Sequence, residues 1–353
     1  LSRNPVPAIA FAIGLALIAF QSWLLFEAQQ PLLERPVHLC AALVLLFLYK
    51  PLRSETLPRW LCGAIDALLI LGAVAVLGYY LIGFERLTTR MENVSPIFTT
   101  DIIFGALLVF LLLEGSRRAV GWVLVWALLA FIAYAFWGNL LPGWLNFRGF
   151  DAEAATEITT MTTAGVLGIT TSTSVSFIFY FVLFGAFYAA VGGGQLFIDL
   201  AIRAAGRATG GTAKAAIIGS SLMGSISGSA VANVVSTGVF TIPLMKKVGF
   251  NSEKAGAVEV ASSVNGQIMP PVMGAAAFLM VEYVGIPYFD VVKHAFLPAV
   301  ISYIALVYIV HLEALKAGMV GLERPYTPKP IVQRLLVSAF IIACICALSF
   351  AVY

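Results

Sequence analysis

The sequence predicts an all-α polytopic membrane protein, and three observations carry that expectation. Of the 353 residues, 60% are hydrophobic and 11% charged, against about a quarter charged in a water-soluble globule. Mean hydropathy is +0.95. Apolar runs near the ~20 residues that a helix needs to cross a bilayer recur along the chain between short polar segments. The net charge of +3 is small and scattered, with no basic run interleaved with aromatics. Nucleic acid is therefore excluded as a partner, and the lipid bilayer is the expected surround.

The first span is 8–26; no small-residue cleavage site precedes further spans, so it reads as a retained helix and not a signal peptide. The core of the second is 37–49, followed by Lys50, Arg53 and Arg59. The third is 60–83. After a polar loop at 84–100, residues 101–114 lead into Arg117 and Arg118 as the fourth, and 120–141 is the fifth. Trp122, Trp126, Trp137 and Trp144 flank that span as interfacial anchors. The segment 151–163 carries Asp151, Glu153 and Glu157 and is too polar to span, which makes it an interfacial helix or an external loop. Residues 174–191 cross back, the glycines at 192–194 break the helix, and 195–205 is amphipathic.

The stretch 215–245, AAIIGSSLMGSISGSAVANVVSTGVFTIPLM, is apolar but for a middle rich in glycine and serine. Its halves, about 10 and 16 residues or about 15 and 24 Å as helices, fall short of a ~30 Å hydrocarbon core. Arg203, Arg207 and Lys214 precede it, and Lys246, Lys247 and Lys254 follow. If basic flanks mark the cytoplasmic side, both ends lie on one side and the segment is a re-entrant hairpin with a polar tip. With the amino terminus inside, that reading leaves Arg35, Arg86, Arg90, Arg148 and Lys293 outside and every other basic residue within. A simple crossing would instead place seven more, from Lys246 to Arg334, outside. The apolar run 255–284 is broken at SSVNGQIMPP; 289–310 is a continuous helix, a linker with Arg324, Pro325, Pro328, Lys329 and Pro330 follows, and a last span begins near Leu335. The chain begins without Met and ends in an apolar run, so a longer protein is expected.

Two polar breaks hold the candidate chemistry. Each leaves unpaired helix-end N–H groups, which suit an anion, and C=O groups, which suit a cation. Ser225, Ser227, Gly228, Ser229 and Asn233 at the hairpin tip, with Gln267 across the break, are the expected solute-binding set. Serine hydroxyls donate to a carboxylate or accept toward a cation, and amides do both. Gly228, Asn233, Ser263, Asn265 and Gly266 are the expected cation-binding set. Gly266, Pro270 and Pro271 make the helix break, glycine by permitting close approach and proline by removing amide donors. Small residues in membrane helices also serve as packing surfaces; two dense clusters with Asn and a Pro pair favour a site. Glu259, one turn beyond Lys254, is either an ion-coupling carboxylate or an interfacial partner of that lysine. Asp66, at the end of an unbroken span, reads as a structural ion-pair partner.

Cys40, Cys62, Cys344 and Cys346 sit in apolar runs without a CxxC pair or a histidine at ligand spacing, so no transition-metal site is expected. His38, His294 and His311 lie at span ends, so none stands opposite the hairpin serines as an intramembrane serine hydrolase would require, and no enzyme and no cofactor is expected. Asn and carbonyl oxygens suit Na⁺ as a coupling ion, while Glu259 permits H⁺.

The strings GGTAKAAIIGSSLMGSISGSAVANVVSTGVFTIPLMKKVGF and AGAVEVASSVNGQIMPPVMGAAAFLMVEYVGIPY, with LEGSRRAVG, FVLFGAFYAAVGGG and VHLEALKAGMVGL around them, resemble the fused membrane permease of tripartite ATP-independent periplasmic (TRAP) transporters, the type that works with TAXI binding proteins. The resemblance covers nearly the whole chain. It implies a helical scaffold plus the first inverted repeat of an elevator-type transport domain, with a re-entrant hairpin and a broken helix. On this chain that gives a small-subunit-like scaffold at 1–142, a periplasmic or interfacial connector at 143–170, a first large-subunit-like repeat at 171–330 (hairpin 215–245, broken helix 255–284) and the start of a further span at 331–353. It also implies ion-driven import across a bacterial inner membrane of a small carboxylate solute, handed over by a periplasmic TAXI-type binding protein. The alternative is a non-transporting scaffold or sensor that docks such a protein. Two departures stand out: Asn265 occupies a position where the family pattern has a second glycine, and TTMTTAGVLG replaces an acidic stretch before the span at Ser174.

Overall fold

The computed structural model describes residues 6–53, 58–190, 192–270 and 272–319. The expected last span, its Pro-rich linker, Cys344, Cys346 and Pro271 lie outside them. The described chain forms two compact units, Leu1–Val175 and Ser176–Tyr353. Both are built from helices, and seven helices among the described residues are long and apolar enough to cross a bilayer.

The first unit contains α1 (Val6–Leu24), α2 (Pro31–Tyr49), α3 (Arg59–Ile82), the short α4 (Phe84–Thr89), α5 (Thr99–Ala119), α6 (Trp122–Trp137) and the single-turn α7 (Ala152–Thr156). Its core lies where α2, α3 and α5 meet. Each presents one face at helical spacing: Cys40, Leu43, Val44 and Phe47 on α2, Leu69, Ala73, Val76 and Tyr80 on α3, Gly105, Leu108 and Leu111 on α5. The opposite faces are apolar too, as lipid contact requires; Leu68, Leu71, Ile103 and Phe110 are exposed. What distinguishes the inner faces is their polar residues. Asp66 pairs with Arg118 at 2.6 Å, as the structural reading of that acid expects, and Asp101 holds Arg86 and Tyr79, each at 2.6 Å.

The acidic segment after α6 is helical and packed, not an external loop. It runs from α7 into a wider π-type turn at Glu157–Met161, seated against α5 where Gly105 leaves room for Thr156 and Thr160. Glu157 turns inward to Arg90 at 2.9 Å, which a count of charges alone does not reveal.

The helix that begins at α8 (Ile169–Thr173) continues through a π-type turn, Ser174–Ile178, into α9 (Phe179–Ala190). In the second unit α9 is followed by α10 (Gly193–Ala205), α11 (Gly211–Ser227), α12 (Ala230–Lys247), α13 (Ser252–Asn265), α14 (Ala275–Val284) and α15 (Tyr288–Lys316). The α11 helix is the axis of this unit: it touches α9, α10, α12, α13 and α15. Its small residues make that possible, since Gly, Ala and Ser let backbones approach on every side. The expected hairpin is present as α11 and α12 joined by Gly228 and Ser229. Its first limb is longer than the expected half, 17 residues, because the helix starts just after Gly210, at φ +65°, and runs through Thr212 and Lys214. At 1.5 Å per residue that limb is about 26 Å long.

Candidate functional site

At the hairpin tip, α11 ends on Gly228 in the left-handed conformation, φ +60°, whose N–H returns to Gly224 O at 3.0 Å. Ser229 then caps α12 by accepting from Ala232 N at 3.3 Å. The turn is therefore made by sequence-local chemistry: a glycine C-cap followed directly by a serine N-cap.

The second polar break meets this tip. The α13 helix ends at Asn265 and tightens into a 3₁₀ turn, Gly266–Ile268, and α14 begins after Gly274. Val272 N donates to Ser225 O at 3.0 Å, tying the break to the tip. A Cβ on Gly224 would stand 2.6 Å from Gly266 Cα, and one on Gly228 would stand 2.1 Å from Met273 O. The glycines are required at both places by close approach of backbone to backbone. Met273, buried and at φ +58°, holds an uncommon conformation for a side-chain-bearing residue at this junction.

Asn233 sits behind the tip, fully buried. Its Nδ2 donates to Ser220 O at 2.9 Å and lies 3.0 Å from Ser220 Oγ, which assigns the amide orientation, since a carbonyl only accepts. Its Oδ1 is left as a buried acceptor without a hydrogen-bond partner. A buried orphan acceptor is costly, and at this junction it is an available ligand for a cation or a donor group. Ser220 Oγ is 3.1 Å from Ser263 Oγ, so Asn233, Ser220 and Ser263 form one polar chain from α12 across α11 to α13.

Glu259 continues that chain. It is fully buried, and its carboxylate is met by Thr237, by Thr241 at 2.5 Å and, at 3.5 Å, by Ser263. Lys254 is not its partner; that lysine is exposed and pairs with Glu313.

The structure thus brings together Gly228, Gly266, Asn233 and Ser263 of the expected residues, and adds Glu259 through hydroxyl contacts. The serines of the tip divide. Ser225 turns its hydroxyl to Leu222 O at 2.8 Å, and Ser229 serves as a cap, so both shape the tip; Ser227, half-buried, reaches Ser229 O only at 3.5 Å. Asn265 and Pro270 are half-buried; Gln267 is exposed, and its backbone O accepts from Gly274 N at 2.6 Å. Ser220, Thr237 and Thr241 escaped the sequence reading. Their signal was available: Asn233, Thr237 and Thr241 recur every four residues, one polar stripe down a largely apolar helix.

Comparison with known proteins follows the same segment. Residues 107–352 match the family described as "Tripartite ATP-independent periplasmic transporter, DctM component". The chain is 27% identical over 166 residues to the 2,3-diketo-L-gulonate TRAP transporter large permease protein YiaN of Escherichia coli, covering 47% of this chain and 36% of that protein. It is 36% identical over 92 residues to the uncharacterized protein YgiK of Salmonella typhimurium, covering 26% of this chain and 21% of that protein. The chain therefore spans about a third or less of the curated relatives that it matches.

Proposed function

This chain belongs to the tripartite ATP-independent periplasmic transporter family as its DctM component, and from that premise we propose that it forms the first part of a secondary, ion-gradient-driven importer of a small organic acid. The solute is delivered by a periplasmic substrate-binding protein of the TAXI type, and the protein resides in a bacterial inner membrane with its amino terminus inside. Residues 1–142 act as the scaffold, 143–170 as the connector and 171–330 as the first repeat of the moving domain, with its hairpin re-entrant.

The observation that carries this reading is the joint between hairpin tip and broken helix, with the buried, unpartnered Oδ1 of Asn233 behind it. Two interrupted helices meeting end to end concentrate N–H and C=O dipoles at one place, which is how a secondary transporter binds an anion and its coupling cation together. Gly228, Asn233, Ser263, Asn265 and Gly266 serve the cation; Ser225, Ser227, Gly228, Ser229, Asn233 and Gln267 serve the solute, Ser225 and Ser229 chiefly by presenting backbone groups. Gly266, Pro270 and Pro271 hold the break open. A carboxylate cargo agrees with the relative named for 2,3-diketo-L-gulonate, itself a sugar acid.

The test is uptake by the full-length membrane protein in proteoliposomes, with its binding protein carrying the ligand that co-purifies with it. Accumulation that requires both the binding protein and an imposed ion gradient is expected. Docking of the binding protein without any accumulation would replace this reading with a non-transporting scaffold or sensor.

A further inference from the structure

The described carboxylates that are buried in the first unit each have a cation: Asp66 pairs with Arg118, Asp101 with Arg86 and Glu157 with Arg90. Glu259 differs. It is fully buried, and no described lysine, arginine or histidine forms an ion pair with it. Its partners are three hydroxyl groups, those of Thr237, Thr241 and Ser263. An ionised carboxylate without a counter-charge is poorly placed in such surroundings, whereas a neutral acid is comfortable there.

Each threonine hydroxyl has two acceptors within reach. Thr237 Oγ1 reaches Glu259 Oε1 and, at 2.7 Å, Asn233 O. Thr241 Oγ1 reaches Glu259 Oε2 at 2.5 Å and Thr237 O at 3.0 Å. Each hydroxyl has one hydrogen, so each chooses between the carboxylate and a carbonyl of its own helix. When Glu259 is ionised, both threonine hydrogens point to it. When it carries a proton, its own O–H donates to a threonine oxygen, and that threonine's hydrogen turns to the helix carbonyl. Both states are fully bonded, and beyond the proton itself only hydroxyl rotation separates them. The oxygens stand at hydrogen-bond separations and Gly238 closes the space beside Glu259 Cγ, where an added Cβ would lie 3.3 Å away.

The other charged and titratable groups on the elements packed against α13 are engaged or turned outward. On α11, Lys214 bonds His311 of α15 at 3.0 Å. On α12, Lys246 and Lys247 are exposed. On α15, Glu313 pairs with Lys254 of α13, Asp290 pairs with Lys293, His294 reaches Asp290 O, and Lys316 and Tyr308 are exposed. Tyr303 donates to Ser262 O at 2.8 Å, and Glu253 of α13 is exposed.

We propose that Glu259 is the proton carrier of the transport cycle, binding one proton while the solute site is loaded and releasing it on the opposite side. This rests on the importer reading above and names its coupling ion as H⁺, which the cation-serving set around Asn233 and Ser263 passes to Glu259 in place of holding a metal cation. The path from the acid to the solute site runs through Ser263 and Ser220 to Asn233, whose Oδ1 lies behind the hairpin tip.

The test uses the full-length membrane protein in lipid, with the proton itself as the first probe. Infrared difference spectra across a pH series are expected to show a carboxylic-acid C=O band that titrates in the wild type and is missing in Glu259→Gln. Proteoliposomes with a trapped pH dye then receive the binding protein carrying its co-purified ligand, without sodium. The wild type is expected to acidify the lumen as ligand enters. Glu259→Gln is expected to lose at least tenfold of both the acidification and the accumulation while still exchanging internal for external ligand measurably; a purely structural role would depress exchange equally. Should that variant fail to fold, Thr241→Val, which removes one of the two threonine donors, is expected to shift the pH midpoint of the wild-type band. A band that does not titrate, or sodium-driven accumulation without acidification, would overturn the proton assignment alone. A wild type that neither accumulates nor exchanges under either gradient would overturn the importer reading as well.

Discussion

The contact between Gly224 and Gly266 offers a sharp perturbation, because two effects of known sign oppose each other there. In Gly224→Ala, the new Cβ would stand 2.6 Å from Gly266 Cα and 3.1 Å from Asn233 Nδ2. Carbon atoms settle at about 3.5–4.0 Å, so α11 and the 3₁₀ turn must part by about 1 Å. Alanine is the better helix former by about 1 kcal/mol, while forced overpacking costs about 1–3 kcal/mol. The net destabilisation is therefore roughly 0–2 kcal/mol. Transport is expected to suffer more than stability, since parting these backbones strains the Val272 N to Ser225 O bond and the Asn233 anchor. Loss of one such bond, about 1.4 kcal/mol, corresponds to about tenfold in uptake. The matched control is Gly256→Ala on α13, whose added Cβ meets no atom within 4 Å; it is expected to gain up to about 1 kcal/mol and to transport normally. Thermal unfolding followed by far-UV circular dichroism, paired with uptake, reads both variants. If Gly224→Ala matches Gly256→Ala in stability and in uptake, the close approach of hairpin and broken helix is wrong.

Three further predictions concern the framework of each unit taken by itself. Arg90 Nη1 lies 2.9 Å from Glu157 Oε1, an ion pair without an aligned hydrogen bond, and Asn93 N also donates to that oxygen. Both side chains are under a tenth exposed, so Arg90→Ala strands a buried carboxylate and is expected to cost about 3 kcal/mol in unfolding measurements. Lys254→Ala, which breaks the exposed pair with Glu313, is expected to leave the unfolding midpoint unchanged. Asn251 caps α13 by accepting from Lys254 N at 2.8 Å; Asn251→Ala is expected to cost about 1 kcal/mol and Asn251→Asp to restore it.

The sequence makes the spans visible because lipid-facing helices are apolar all round, and composition alone reports that. The same property hides which face of each helix is inward. Leu108 and Phe110 are equally hydrophobic, yet one is in the core and the other exposed. Inward faces are marked by the exceptions, such as Asp66, Asp101 and Gly105, of which the sequence reading singled out Asp66. The hairpin and the broken helix were legible for a related reason: glycine, serine and proline in an apolar run are too disruptive to be incidental. Contacts between segments far apart in sequence were not. Glu259 stood in the sequence as either a lysine partner or a coupling acid, and only packing of α12 on α13 joined it to Thr237 and Thr241. The acids of 151–163 likewise made that segment an interfacial helix or an external loop and named no partner for Glu157, because a buried arginine 67 positions earlier has no local signature.

On the function proposed above, the tip of α11 and α12, with Asn233 behind it, is part of the site through which solute passes. The most direct measurement is gradient-driven uptake by the full-length membrane protein carrying both Ser227→Ala and Asn233→Ala, in proteoliposomes supplied with loaded binding protein. Expression and folding are expected to persist and uptake to be abolished. Uptake at the wild-type rate in a folded double variant would remove the tip from the solute path.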